Sequence, residues 1–487
     1  MEDSVPVEKV MQQAQAAFEV YKQASGKARA GFLEEIALAL ENKRAELVAI
    51  AGSETNLSVA RLNGELTRTT NQLKLFGQLL REGSWVEAAI DLADDTRTPA
   101  RPDIRKMLVP LGTIVVFGAS NFPFAFSTAG GDTASALAAG CSVVVKAHPA
   151  HAGTSALVFA AMQQAIAVSG MPGFVVQHVA GEGNAPGKAL VQHEYTAAVG
   201  FTGSLAGGKA LVGYSNEREN PIPVFAEMSS VNPVVFFPDA LEKNTTLLAQ
   251  QYAASITLGM GQFCTNPGLL LAVKSNALNS FLEQLGAEIT KVAPQKMLHK
   301  GICEAYHTLT GNMLAQKGVE IVGQSAQAAG DLEALPVVAR TTAASFLSDS
   351  HLAAEVFGPF SLMVVCENME ELTAVLKRLK GQLTTTAMAT AADLDTYKAV
   401  IALQQTLAGR IMINNVPTGV EVCAAMVHGG PYPATTDARF TSVGLSAIQR
   451  WVRPLCFQNF PDELLPDELK QSNPLEILRL VNNEWKR

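Results

Sequence analysis

Apolar residues recur at helical spacing through roughly the first ninety positions. Val7, Met11, Ala14, Phe18 and Tyr21 share one helical face, and Leu33, Ile36, Leu40 and Leu47 share another. The period predicts helices that each bury one stripe. A polar, proline-containing stretch over 92–105 then breaks the pattern and predicts a loop or exposed hairpin. Beyond it, short apolar runs without polar alternation occupy 113–117, 142–146, 174–179 and 197–201. A second series occupies 269–273, 361–365, 384–389 and 410–413, with helical patterns between. Strands of this composition are covered on both faces, as in a parallel sheet flanked by helices, so the predicted class is α/β. Residues 225–238, rich in small side chains and proline, predict the crossing between the two series. The chain beyond about 453 is proline-rich, then helical in pattern over 474–485, and suggests oligomer contacts.

Length changes this picture only by dividing it: 487 residues predict two or three domains rather than one core. The charge balance, 37 basic against 45 acidic side chains, disfavours nucleic acid or an anionic membrane as the main partner. The most apolar stretch, 108–146, is broken by Gly118, Asn121, Pro123, Gly130, Gly131 and Asp132, which argues against a bilayer helix. The opening residues are acidic and polar, unlike a secretory leader. Cysteines 141, 264, 303, 366, 423 and 456 form no CxxC pair, and the eight histidines show no ligand spacing. The expectation is a cytoplasmic protein with reduced thiols and no metal.

Chemistry concentrates in a few segments. Cys264 lies in Gly-Met-Gly-Gln-Phe-Cys-Thr-Asn-Pro-Gly, where glycines allow close approach of a ligand. A thiolate there would add to a carbonyl and leave as a thioester, although a cysteine in isolation is more often a small buried hydrophobe. Asn121, directly after a predicted strand, offers a neutral amide donor to an oxyanion, or simply serves the turn before Pro123. Glu227 ends an apolar run, and desolvation there is expected to raise its pKa into the range of a general base. Glu355, before a Gly-Pro break, can accept hydrogen bonds from a ribose or end a helix. Gly203, Ser204 and Gly208 lie where a strand turns into a helix, a place suited to a pyrophosphate. Lys146 ends the strand 142–146, with His148 close by.

The order of these segments carries more than any one of them. Asn-Phe-Pro, V-V-K, F-T-G-S, a glutamate segment, G-Q-x-C and E-x-F-G-P follow one another as in the aldehyde dehydrogenase superfamily, which the chain resembles over nearly its whole length. The resemblance implies a Rossmann-type cofactor domain over 1–91 and 111–230. It also implies an α/β catalytic domain over 231–453, and a small oligomerisation element joining 92–110 to 454–487. It makes Cys264 the nucleophile, Asn121 the oxyanion donor and Glu227 the base that activates hydrolytic water. Lys146 and Ser204 become contacts to the adenine ribose and pyrophosphate, with Gly203 and Gly208 as loop glycines. Glu355 and Phe357 form a clamp on the nicotinamide side.

Two departures stand out. Met228-Ser229-Ser230 replaces the usual Leu-Gly-Gly after the base, which puts the movement of the base in question. Pro149 stands where NAD-preferring members carry a ribose-binding glutamate, so NADP is expected, assisted by His148, with NAD as the alternative. The segment around 417–444 resembles the branch of 2-oxoglutarate-semialdehyde (2,5-dioxovalerate) dehydrogenases and a bacterial fatty-aldehyde dehydrogenase. Arg439 in this segment is either a partner for a substrate carboxylate or a surface arginine beside Asp437. The implied partners are a small-molecule aldehyde and further copies of the chain, as a homodimer or homotetramer.

Overall fold

The computed structural model describes residues 7–181 and 183–487; the acidic opening over 1–6, read above as unlike a leader, lies outside them. The helical period of the N-terminal region produces the helices Val7–Tyr21, Gly26–Asn42, Arg44–Thr55 and Val59–Glu82. Ser25 and Ser58 cap the second and fourth by accepting the N–H of Ala28 and Arg61. Gly83, with φ of 81°, ends the longest in the left-handed conformation. The predicted apolar faces are the ones that bury: Met11, Tyr21, Leu33, Ile36 and Leu47 are sealed from water.

The first series of apolar runs forms a five-stranded parallel sheet. Its spatial order is Val176–Val179, Ser142–Lys146, Thr113–Phe117, Thr196–Thr202, Val224–Glu227. Numbered by chain position this is 3-2-1-4-5, the dinucleotide-binding order, with its reversal beside Thr113–Phe117. Helices cover both faces, and the helix Gly131–Ala139 is buried along its whole length. One segment, Pro149–Ser169, is long and apolar enough to cross a membrane by composition. Its Val158, Ala161, Met162, Ala165 and Ile166 pack into this core.

The second series forms a seven-stranded sheet, parallel except for the edge strand Glu320–Gln324. The predicted crossing over 225–238 contains the last strand of the first sheet and Val234–Phe236, the start of the second. A third sheet joins Val452–Gln458, Ile104–Pro110, Ala89–Asp91, Arg479–Val481 and Glu484–Lys486.

Two expectations change. The helical pattern over 474–485 is a hairpin: Asn482 and Asn483, with φ of 48° and 64°, turn the chain between its last two strands. Asparagine tolerates that conformation, and Leu480 and Val481 pair with Ala89 and Ile90, a tertiary contact that outweighs the apolar spacing. The segment Leu445–Trp451, placed in the second domain by the resemblance, packs against the first core through Ala447, Ile448 and Trp451. Arg450 pairs with Asp132 at 2.7 Å and Trp451 Nε1 donates to Ser135 at 2.7 Å, all buried.

Breaking that pair from one side leaves a buried guanidinium uncompensated. Asp132→Ala should therefore lower unfolding stability by about 3–5 kcal/mol, and Asp132→Ala with Arg450→Met should regain most of it. Urea unfolding of the two variants measures this; equal losses would show that the pairing is not what holds the segment.

Candidate active site

The carboxyl ends of the first sheet face the amino ends of the second. Asn121 follows the strand Thr113–Phe117, Lys146 ends its neighbour, Gly203 and Ser204 follow Thr196–Thr202, and Glu227 ends Val224–Glu227. From the other side, Asn232 precedes Val234–Phe236, Cys264 precedes Leu269–Val273, and Glu355 with Phe357 precedes Phe360–Cys366. Nearly all the residues singled out in the sequence thus lie at facing strand ends, because loops there carry side chains that the sheets hold rigidly.

The Cys264 loop is shaped by backbone constraint. Gly259, Met260 and Gly261 all take left-handed φ values, 52°, 54° and 61°. A Cβ at Gly261 would lie 2.2 Å from the carbonyl oxygen of Gly358, so only glycine fits. Buried Met260 holds the same conformation without being glycine, a strain that surrounding packing must maintain. Asn232 fastens the loop: its Nδ2 donates to the carbonyls of Cys264 and Asn266, both at 2.9 Å. Asn232 is held in turn by Ser230 and Gln382. Ser230 therefore anchors this network, and Met228 packs against Gly208, where a Cβ would fall 2.4 Å from its sulfur. Gly208 thus serves helix–strand packing rather than a phosphate.

Asn121 reaches the same loop. Its Nδ2 donates to the Gln262 carbonyl at 3.2 Å, leaving a second N–H as the neutral donor that an oxyanion needs. Arg61 donates to the Asn121 carbonyl at 2.8 Å, and Glu65 accepts the N–H groups of Phe124 and Ala125 at 2.8 and 3.0 Å. The helix Val59–Glu82 therefore fixes the Asn121 loop.

At the centre, His428 Nε2 lies 3.0 Å from Glu227 Oε1 and 3.4 Å from Cys264 Sγ. Ser442 donates to Glu227 Oε2 at 2.6 Å. His428 Nδ1 is sealed from water without a partner. The tautomer that costs least carries its proton on Nε2, shared between carboxylate and sulfur. The donor atoms of Glu227, Cys264 and His428 lie within 4.8 Å of one another, and hydrogen bonding accounts for that closeness.

Burial is the largest single influence on Glu227 and pushes its carboxyl up. The His428 ring, with hydrogen bonds from His428 and Ser442, more than reverses it, so the carboxyl titrates below its ordinary value. The expected upward shift is thus corrected: the base is a carboxylate because it is hydrogen-bonded. Burial, followed by the Glu227 charge, pushes the Cys264 thiol well above its ordinary value, while Arg68 opposes the rise.

On the cofactor side, Ser204 accepts the Gly207 N–H at 3.1 Å and caps the helix Leu205–Asn216. The N–H groups of Leu205 and Ala206 have no intrahelical acceptor, and they open where the sheet order reverses, which fits a pyrophosphate. Gly203 lies against the Phe201 ring, which a Cβ would approach to 2.6 Å. Lys146 Nζ donates to the carbonyls of Ala147 and Gly181, both at 2.8 Å. His148 Nδ1 accepts the Ala150 N–H, and burial lowers its pKa to about 3. A ring that is neutral at physiological pH brings no charge to a 2′-phosphate, which removes the assistance expected of it. Glu355 and Phe357 are half-buried; burial raises the Glu355 carboxyl to about 7, opposed by Ser229 and the Ser230 N–H. Ser229 and Ser230 are thus tied to Glu355 and Asn232, and Glu227 is pinned from elsewhere.

Arg439 does not reach the site. Its side chain is 80% exposed and forks onto Asp437 at 2.9 and 2.5 Å. Of the two readings offered, the surface arginine is what the structure shows. Sequence reasoning missed His428, Ser442, Asn232 and Gln382. His428 stands 164 residues from Cys264 and has no local period; a search for metal spacing passes over it. Its signal is composition: a histidine before Gly-Gly-Pro, close to the Thr-Ser pair that supplies Ser442.

Known proteins place this geometry. The profile described as the aldehyde dehydrogenase family matches residues 2–432. Alpha-ketoglutaric semialdehyde dehydrogenase 2 of Azospirillum brasilense is 48% identical over 475 residues, covering 97% of this chain and 90% of that protein. Alpha-ketoglutaric semialdehyde dehydrogenase of Acinetobacter baylyi is 45% identical over 481 residues, covering 98% and 91%. In fold the chain is similar to betaine aldehyde dehydrogenase of Staphylococcus aureus, with TM-score 0.79 and 18% identity over 95% of this chain and 89% of that one. The chain carrying Cys264, Asn121 and Glu227 at these facing strand ends belongs to the aldehyde dehydrogenase family and is an oxidoreductase acting on aldehydes.

Proposed function

We propose that this enzyme oxidises 2-oxoglutarate semialdehyde to 2-oxoglutarate through a thioester on Cys264, with NADP preferred over NAD. The observation that carries the reaction is the contact of Cys264 with Glu227 and His428 beside the Asn121 amide. The substrate rests on the names of the two near full-length relatives. Pro149 in place of a carboxylate supports NADP, because no negative charge at that position opposes a 2′-phosphate. Lys146, Ser204 and Glu355 would hold the cofactor, whose nicotinamide accepts the hydride when bound.

The chain's own residues divide the rest. Glu227, ionised and facing the thiol, receives the Cys264 proton. The His428 Nε2–H lies between the two and donates to whichever carries the negative charge. Sulfur adds to the aldehyde carbon, and Asn121 with the backbone N–H of Cys264 holds the resulting oxyanion. Once a thioester stands on Cys264, Glu227 has passed the thiol proton on to solvent and is ionised again. It takes a proton from water, which attacks the thioester carbon and releases the acid, with sulfur as the leaving group. As further parts of this reading, the enzyme is cytoplasmic and homo-oligomeric. Exposed Leu475, Leu478 and Trp485 on and beside the third sheet support contacts between copies.

Cys264→Ala should abolish turnover and thioester formation; substantial residual turnover would remove Cys264 as nucleophile. Glu227→Gln removes both the acceptor of the thiol proton and the base for water, so the burst of reduced cofactor should slow and steady turnover should fall about 10²-fold or more. A steady rate equal to wild type would leave the water without its base.

The Glu355 carboxyl, held at about 7, takes up a proton as pH falls through that value. Ionised, it accepts ribose hydroxyls; protonated, it loses part of that capacity. The cofactor KM should therefore rise as pH falls from about 8 to about 6, and Glu355→Gln should flatten the profile. The same inflection persisting in Glu355→Gln would assign it to another group.

Reduced-cofactor formation with 2-oxoglutarate semialdehyde and with decanal, each with NADP and NAD, tests substrate and cofactor together. The expected result is higher kcat/KM for the semialdehyde with NADP. Preference for decanal would give a long-chain aldehyde enzyme instead, and preference for NAD would overturn the Pro149 argument.

A further inference from the structure

Arg68 lies on the helix Val59–Glu82, one turn beyond Glu65, with its guanidinium 5.2 Å from the centre of the Phe126 ring. Glu65 on its own helix is the charged group that bears on it most, and Cys264, Glu227 and Glu421 are also within electrostatic reach. It has no hydrogen-bond or ion-pair partner among the described residues. Its Nε is sealed from water with nothing to bond, while Nη1 and Nη2 are neither bonded nor sealed.

The neighbouring arginines behave differently. Arg61, two turns earlier on the same helix, donates to the Asn121 carbonyl and lies against the Phe122 and Phe263 rings. Arg410 donates both Nη groups to the carbonyls of Pro417 and Gly419. Its Nε is sealed without a partner, as Arg61 Nη1 is, but no free Nη edge is left to it. Arg450 is paired with Asp132. Arg29 is also buried without a partner, but it sits beside Tyr21 and Cys141, away from the facing strand ends. A guanidinium withdrawn from water loses hydration that a fork-shaped anion replaces best. The Phe126 ring lies beside the guanidinium carbon, and the Nη groups, neither bonded nor sealed, are the part left to reach a ligand.

We propose that Arg68 is the receptor for the carboxylate of an ω-oxo acid whose aldehyde carbon is attacked by Cys264. This takes the role that Arg439 cannot fill from the surface, and it names the chemical class that the site selects: short aldehydes ending in a carboxylate. It rests on the semialdehyde reading of the preceding subsection and locates the selectivity in the N-terminal helix. Arg68 is a binding residue that also bears on the thiol, since its charge opposes the rise in the Cys264 pKa. A substitution there therefore slows every aldehyde to some degree. The ratio of two substrates cancels that shared effect and isolates the carboxylate contact.

The experiment compares kcat/KM for 2-oxoglutarate semialdehyde and for pentanal, a neutral aldehyde of equal chain length, in wild type, Arg68→Gln and Arg68→Lys. Turnover of pentanal shows that each variant is folded. The semialdehyde-to-pentanal ratio should fall about 10²-fold in Arg68→Gln, mainly through KM of the semialdehyde. It should fall less in Arg68→Lys, which keeps the charge but loses the fork. An unchanged ratio, with both substrates slowed equally, overturns the proposal and leaves Arg68 acting on the thiol alone.

A second arm needs no turnover: protection of Cys264 by glutarate against alkylation with iodoacetamide. Protection in wild type that disappears in Arg68→Gln supports the receptor. If wild type prefers pentanal yet glutarate protects through Arg68, the substrate reading fails and the carboxylate site stands. If glutarate gives no protection and the ratio is unmoved, the site fails whatever the substrate is.

Discussion

Glu227 is a carboxylate almost sealed from water, and the hydrogen bonds that keep it charged come from 201 and 215 residues farther along the chain. Buried alone, it would take up a proton and could not serve as a base at neutral pH. His428 and Ser442 supply the compensation, and both belong to a segment that closes over the end of the first sheet. The backbone makes the same link: Met228 N–H donates to the Ala434 carbonyl, and Glu227 bridges to Thr435. The fold therefore has to bring its last third back onto its first half before the site has any chemistry. The buried Arg450–Asp132 pair and Trp451, just beyond, hold that return in place.

The second constraint is the Cys264 loop. Three successive left-handed residues bring the chain out of a helix and under the Gly358 carbonyl, and Asn232 ties the loop down from the strand beside it. Strain of this kind persists only where neighbours leave no alternative. Here they belong to the same network that contains Ser230 and Gln382. The substitution of serines for the usual glycines after Glu227 is thus an anchoring device: Ser230 holds Asn232, and Asn232 holds the nucleophile's loop. On the opposite wall the helix Val59–Glu82 positions the Asn121 loop through Arg61 and Glu65. A nominally structural N-terminal helix consequently shapes both oxyanion stabilisation and, through Arg68, the far end of the substrate.

The cofactor side follows from topology. A parallel sheet of order 3-2-1-4-5 leaves a crevice where the order reverses, and the helix beginning after Ser204 opens its unpaired N–H groups there. Gly208 illustrates how one residue can be read correctly as necessary for the wrong reason: its missing Cβ makes room for Met228, not for a phosphate. His148 shows the converse, since a residue well placed in the chain is neutralised by burial against His151 and His299.

The sequence by itself determined what depends on short range. The burial stripes of the first helices, the two series of fully apolar strands and the loop positions of Cys264, Asn121 and Glu227 are set by periodicity and by glycine and proline, which act over a few residues. The order of motifs added the family. It did not determine the last hairpin, where a turn at Asn482 and pairing with Ala89 and Ile90 overrode an apolar period. Nor did it determine the charge state of Glu227, the protonation of His148, the surface position of Arg439 or the unpaired guanidinium of Arg68. Those belong to the tertiary structure, because electrostatics in a buried site depends on which distant groups are packed within a few ångströms.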